Sequence, residues 1–183
     1  MKWNTIINIQ LGIALPITKE IVDNLSQMKE VKKISLAVSL RRKMETVGDI
    51  DILIASRKPV KIMKKFTSLP QVSEILVNGL TKSTIIIKKN IQVDLRIVDP
   101  LSYRAALQDF TGSQGHNIKI RGLAQKRGLK INEYGVFNSK TEKKITGEQE
   151  EKVYEILNLP FIFPELRENR GEIEFAQEKK YQK

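Results

Sequence analysis

Gly48-Asp49-Ile50-Asp51-Ile52-Leu53-Ile54 alternates carboxylates with aliphatic side chains and then runs on wholly apolar. Read as a β-strand, the stretch puts residues i and i+2 on one face. Asp49 and Asp51 then stand side by side, with Ile50 and Ile52 packed beneath. A second apolar run, Ile91-Gln92-Val93-Asp94-Leu95-Arg96-Ile97-Val98, carries Asp94. If the two runs pair nearby, Asp94 joins the other two. Three carboxylates on one sheet face repel one another strongly unless a cation neutralises them. Mg²⁺ suits such a cluster, because it takes carboxylate oxygens and shares its remaining sites with water and phosphates. The pattern points to two-metal phosphoryl or nucleotidyl transfer.

Composition narrows the chemistry. The chain has 183 residues and no cysteine, which excludes disulfides, thiolate catalysis and zinc–cysteine sites. A single histidine, His116, excludes a multi-histidine metal site. Any metal must be held by oxygen, which favours Mg²⁺ or Mn²⁺. The formal net charge of +11 suggests a polyanionic partner. Solubility, or the amino-acid bias of the source, is the plainer reading of the same charge. No apolar run approaches the ~20 residues needed to cross a bilayer. The start, Met1-Lys2-Trp3-Asn4-Thr5, is not followed by a signal-peptide core. A cytoplasmic, membrane-free, monomeric protein is the expectation.

The pattern predicts an α/β (α+β) fold with a mixed sheet. Ile21, Leu25 and Met28 share a helical face over residues 16–28, with Pro16 in the first turn. Val31 to Val38 reads as a strand, and Leu40 to Glu45 as a short helix or turn. Pro59 to Phe66 reads as a basic amphipathic helix, and Ser73 to Val77 as a short strand. Lys89-Asn90 is a tight-turn pair joining Ser83–Lys88 to Ile91–Val98 in a hairpin. Asp99-Pro100 breaks the pattern, and a boundary is expected near residues 100–105. Beyond it, Ser102–Phe110 and His116–Lys126 read as helices and Ile131–Phe137 as a strand. Thr146-Gly147-Glu148-Gln149 has capping-box spacing before a helix over about 147–157. Leu159–Pro164 reads as extended, and the charged tail after Arg170 as frayed.

Two further segments carry candidate chemistry. Ser39-Leu40-Arg41-Arg42 follows a strand and precedes the aspartate pair, so its hydroxyl, backbone N–H groups and arginines can hold a triphosphate. Read alone it is an ordinary helix cap with solvated arginines. Phe110-Thr111-Gly112-Ser113-Gln114-Gly115-His116-Asn117 is a loop running into a helix, able to set an aromatic ring and Asn117 against a base. Its plainer reading is a glycine-rich connection. Asp94, inside an apolar strand, requires a partner; the alternative to a metal is an ion pair to Arg42 or Arg96.

Together these segments resemble the family X DNA polymerases, the DNA polymerase beta group. The resemblance rests on Ser39-Leu40-Arg41-Arg42 with Glu45-Thr46-Val47-Gly48-Asp49-Ile50-Asp51-Ile52-Leu53, on Gln92-Val93-Asp94-Leu95-Arg96, and on Phe110-Thr111-Gly112-Ser113 through His116-Asn117. It continues in Arg127-Gly128-Leu129-Lys130-Ile131-Asn132-Glu133-Tyr134-Gly135 and in Pro164-Glu165-Leu166-Arg167-Glu168-Asn169-Arg170-Gly171-Glu172-Ile173-Glu174, which is similar to the ending of the bacterial and archaeal branch. The Gly-Asp-x-Asp alone marks only the wider nucleotidyltransferase fold.

The resemblance implies a palm over 1–103 and a C-terminal nascent-base-pair lobe over 104–183. It implies that Asp49, Asp51 and Asp94 hold two Mg²⁺ ions, with Mn²⁺ able to substitute. Ser39, Arg42 and Gly48 would contact the incoming dNTP triphosphate. Phe110 and Gly112 would line the sugar, Asn117 would approach the base edge, and Arg121 would meet the template. Asn132, Glu133 and Tyr134 would order the closed state around Arg121. The implied activity is template-directed addition of dNTPs to a DNA primer in short-gap repair. A template-independent terminal or small-substrate nucleotidyltransferase and a non-catalytic DNA-binding module are the alternatives.

Three departures stand out. Val38 replaces the family's usual Gly before the serine, and a β-branched residue there crowds the phosphate loop or forces a different dihedral. Asp109 replaces the usual aromatic before Phe110, which weakens the ribose screen. The residues before Ser39 leave no room for the lyase and helix-hairpin-helix domains usual in the family, so a minimal enzyme or a shortened form is expected, with weak, salt-sensitive DNA binding.

Overall fold

A computed structural model describes residues 8–178. The chain divides into two compact units, Met1–Pro100 and Leu101–Lys183.

The first unit opens with β1 (Ile9–Gln10) and α1 (Leu11–Ser26), then β2 (Lys33–Leu36), α2 (Val38–Arg41), β3 (Thr46–Val47) and β4 (Ile50–Ala55). It continues with α3 (Pro59–Thr67), β5 (Val72–Asn78), β6 (Lys82–Ile87) and β7 (Ile91–Val98). Its main sheet has the order β2-β4-β7-β6-β5. β4 and β7 are parallel, and the other neighbours are antiparallel.

One face of this sheet is almost wholly aliphatic. Ile50, Ile52 and Ile54 of β4, with Val93, Leu95 and Ile97 of β7, pack against Ile21 and Leu25 of α1 and Ile62, Met63 and Phe66 of α3. Burying that many large side chains, at about 1.5–3 kcal/mol each, fixes which way both strands face. The alternate residues, Asp51 and Asp94 among them, are thereby turned to the opposite side.

Helix α1 starts earlier than its sequence suggests. Pro16 lies inside it, not in its first turn. Proline costs the bond to the Gly12 carbonyl, but the buried stripe Ala14, Thr18, Ile21, Leu25 carries the helix through. The strand expected to reach Val38 stops at Leu36, because Val38 already belongs to α2. The β6–β7 turn has positive φ at Lys89 (70°) and Asn90 (59°), the pair of conformations a type I′ connection requires.

The second unit comprises α4 (Tyr103–Thr111), α5 (Gln114–Gln125), β8 (Leu129–Asn132), β9 (Gly135–Asn138), β10 (Lys144–Thr146), α6 (Glu150–Glu155) and α7 (Glu172–Glu178). The expected single strand over 131–137 is instead a hairpin, β8 pairing β9 with Asn132 opposite Gly135. Tyr134 N–H donates to the Asn132 side chain, and Gly135 takes φ 144°. The capping box does not form: Gln149 is the α6 N-cap with no side-chain bond, and Glu148 accepts instead from Gly147 N–H at 3.1 Å.

The tail is helical as far as Glu178, where fraying was expected; residues 179–183 lie outside the described residues. Ile173 and Ala176 of α7 join the core of this unit. Glu172 accepts from Asn169 and Arg170 N–H and meets His116 Nδ1 at 2.8 Å. His116, fully buried, also contacts the Tyr154 hydroxyl at 3.1 Å. Arg167 is buried as well. It donates to Glu150 Oε1 at 2.7 Å and to the Ile162 carbonyl at 2.9 Å, and its guanidinium lies over Tyr154 and Phe161.

Candidate metal and nucleotide centre

Asp51 and Asp94 are direct neighbours in the parallel β4–β7 ladder. Asp49 lies on the bend just before β4 rather than in the strand, so it reaches the same place from the loop. One carboxylate oxygen from each of the three lies within 4.8 Å of the others, and all three residues are half-buried. The cluster is thus built from two strand neighbours and one loop residue.

The electrostatics follow from this crowding. Burial first, then the charges of Asp49 and Asp94, push the Asp51 carboxyl up to about 7. Burial and then the Asp94 charge also raise Asp49, whose side chain shares a hydrogen bond with Asp51. Protein groups supply little compensation. Gln92 Nε2 donates to Asp94 Oδ1 at 3.3 Å. Lys82 Nζ sits 3.8 Å from Asp94 Oδ2. These partners replace the pairing to Arg42 or Arg96 considered from sequence. Three hard oxygen donors with unrelieved repulsion fit a divalent cation such as Mg²⁺ or Mn²⁺.

Neither Gln92 nor Lys82 was singled out from the sequence. Gln92 carries a readable signal, two residues before Asp94 on the same strand face. Lys82 does not, because its approach depends on the β6–β7 register that pairs it with Arg96.

The segment read as a phosphate holder packs alongside. Ala37 N–H donates to the Asp51 carbonyl at 2.9 Å, tying the start of α2 to the aspartate strand. Ser39 is the second residue of α2 and Arg42 its C-cap; both are half-buried, as is Gly48. Val38 takes φ 48°, a left-handed conformation that is a genuine outlier for a β-branched residue.

The other sequence-selected residues lie in the second unit. Phe110 is half-buried near the end of α4, and Gly112 is buried with φ 70°. Asn117 is buried and its amide is engaged at both ends. It accepts from Gln108 Nε2 at 3.2 Å and donates to the Asp109 carbonyl at 2.6 Å. Arg121 is exposed and donates to Asp109 Oδ1 at 2.5 Å. Asn132 and Glu133 are half-buried and Tyr134 is exposed at the β8–β9 turn. The carboxylate that meets Arg121 is therefore Asp109 of α4, a residue read from sequence only as a departure beside the sugar.

Comparison with known proteins identifies the family. A family model described as the DNA polymerase beta thumb matches residues 106–168. The chain is 33% identical over 130 residues to the repair DNA polymerase X of African swine fever virus (isolate Pig/Kenya/KEN-50/1950), covering 73% of that protein and 65% of this one. The chain belongs to the family X DNA polymerases. Within family X it is also 39% identical over 166 residues to the DNA polymerase/3'-5' exonuclease PolX of Bacillus subtilis. That match takes in 90% of this chain but 29% of the Bacillus protein. Among the described residues of this family X chain, no helix is long and apolar enough to cross a membrane.

Proposed function

We propose that this chain is a template-directed DNA polymerase that adds dNTPs to a primer 3′-hydroxyl, acting on short gaps in repair. The observation that carries the reading is the convergence of Asp49, Asp51 and Asp94 within 4.8 Å. The names of its relatives, a repair polymerase and a polymerase/exonuclease, support it.

In this reading Asp49, Asp51 and Asp94 are the residues that would hold two divalent cations. Bound there, such cations would supply Lewis-acid chemistry that lowers the pKa of the primer hydroxyl and stabilises the attacking and leaving oxygens. The residues do the rest. Asp51 and Asp94 are fixed by the β4–β7 ladder, so they hold their positions without reorganisation during the reaction. Ser39 and Arg42 bind the triphosphate through a hydroxyl and a guanidinium, with Gly48 allowing close backbone approach. The primer hydroxyl loses its proton to solvent, its oxygen bonds to the α-phosphorus as the bond to the bridging β-phosphate oxygen breaks, and pyrophosphate leaves. The Phe110–Gly112 segment lines the sugar, Asn117 meets the base edge, and Arg121 meets the template strand. Asn132, Glu133 and Tyr134 order the lobe around them. The palm is the first unit and the base-pair lobe the second.

The test is extension of a labelled primer on a one-nucleotide gap with each dNTP and Mg²⁺, with a parallel reaction lacking template. Insertion of only the complementary nucleotide supports the reading. Equal insertion without template replaces it with a terminal transferase, and no insertion with either Mg²⁺ or Mn²⁺ replaces it with a binding role.

A further inference from the structure

Asp109 stands where two helices exchange polar contacts within the second unit. Its carboxylate holds Arg121 at 2.5 Å, with the Arg121 side chain 46% exposed and the Asp109 side chain only 11%. Its main-chain carbonyl takes the Asn117 amide at 2.6 Å. The far end of that amide is bound by Gln108, itself buried. One residue of α4 thus restrains two residues on successive turns of α5.

The physical consequence is competition. A carboxylate late in α4 lies against the negative end of its own helix dipole, so it gains from a cation on α5. A phosphate approaching Arg121 brings the same chemistry as the Asp109 carboxylate and meets its charge directly. Asn117 is likewise engaged: buried, with one hydrogen bond at each end of its amide.

We propose that Asp109 is a positioning residue that competes with the nucleic-acid backbone for Arg121, holding it in a resting arrangement that a bound strand displaces. This rests on the polymerase reading above, which assigns Arg121 and Asn117 to the template and the base. Asp109→Asn tests it, because the change keeps the side-chain shape and the main-chain carbonyl that Asn117 uses, while removing the charge and turning one acceptor oxygen into an NH2.

The measurement is fluorescence anisotropy of a labelled primer–template duplex over a KCl series. It compares wild type, Asp109→Asn, Arg121→Ala and the double variant. Asp109→Asn is expected to tighten binding by about fivefold at low salt. It should also steepen the slope of log K against log salt by about 0.9, the value for one further phosphate contact. Both gains should vanish in the Arg121→Ala background. An unchanged affinity and slope in Asp109→Asn overturns the proposal while leaving the polymerase reading standing. A gain that persists without Arg121 overturns it too, because it is then a general charge effect. Failure of all four proteins to bind the duplex overturns the polymerase reading itself and the competition with it.

Discussion

At the scale of single residues, the aspartate cluster costs the fold stability through repulsion and burial. Asp51 has a folded value of about 7 against an ordinary value of 3.8. The folded state therefore binds more protons between those values, and its stability falls as pH rises through that window. Below about pH 4 the penalty is absent, and above about pH 7 it is complete. Without divalent cation, thermal melts in EDTA should show the midpoint falling from pH 5 to pH 8. Asp51→Asn should flatten that dependence and raise the pH 8 midpoint by several degrees, on the order of 2 kcal/mol. Added Mg²⁺ should stabilise wild type but not the variant. Asp94→Ala should cut primer extension by at least ~10³-fold, a loss of the size seen when charge stabilisation is removed. Duplex binding should stay unchanged or tighten, since a negative charge is gone. Retained extension by Asp94→Ala would remove the metal assignment. The repetition of Asp at alternate positions makes this cluster readable without a fold. Of the partners of Asp94, Gln92 is readable that way and Lys82 is not, because Lys82 arrives through strand register.

At the scale of elements, strain and burial decide the outcome. Val38 at φ 48° opens a single-turn helix beside the aspartate strand. Glycine at this position removes a left-handed penalty of roughly 1–3 kcal/mol, partly offset by its own chain entropy. Val38→Gly should therefore add about 1 kcal/mol of stability, read as a higher urea midpoint, and a lower midpoint would show that Val38 packing outweighs the strain. In the second unit, Arg167 is fully buried against Glu150, Tyr154 and Phe161. Removing one member of a buried pair strands the other charge. Arg167→Ala should cost about 3–5 kcal/mol, seen as loss of cooperative unfolding of this unit in urea. Glu172 shows a similar balance. Burial raises its carboxyl, but the His116 bond and backbone N–H groups outweigh that and leave it lowered. The helix α7 that carries it reads as a frayed tail in sequence because its charged residues dominate. Only the packing of Ile173 and Ala176 shows why it folds.

At the scale of the whole molecule, the net charge of +11 predicts the mode of nucleic-acid association. Binding driven by Lys and Arg releases counterions from the phosphate backbone. Affinity for gapped DNA should fall by about 10³-fold or more between about 50 and 200 mM KCl if roughly six or more phosphates are neutralised. A salt-insensitive, nanomolar affinity would contradict this. The sequence alone determined the α/β class, the basic charge, the restriction of any metal to oxygen donors and the aspartates, because composition and two-residue periodicity are local properties. Tertiary structure alone decided that Asp51 and Asp94 are ladder neighbours, that Lys82 attends them, and that Asp109 occupies Arg121. Those depend on strand register and helix packing, which bring together residues far apart in the chain, and no local pattern encodes that distance.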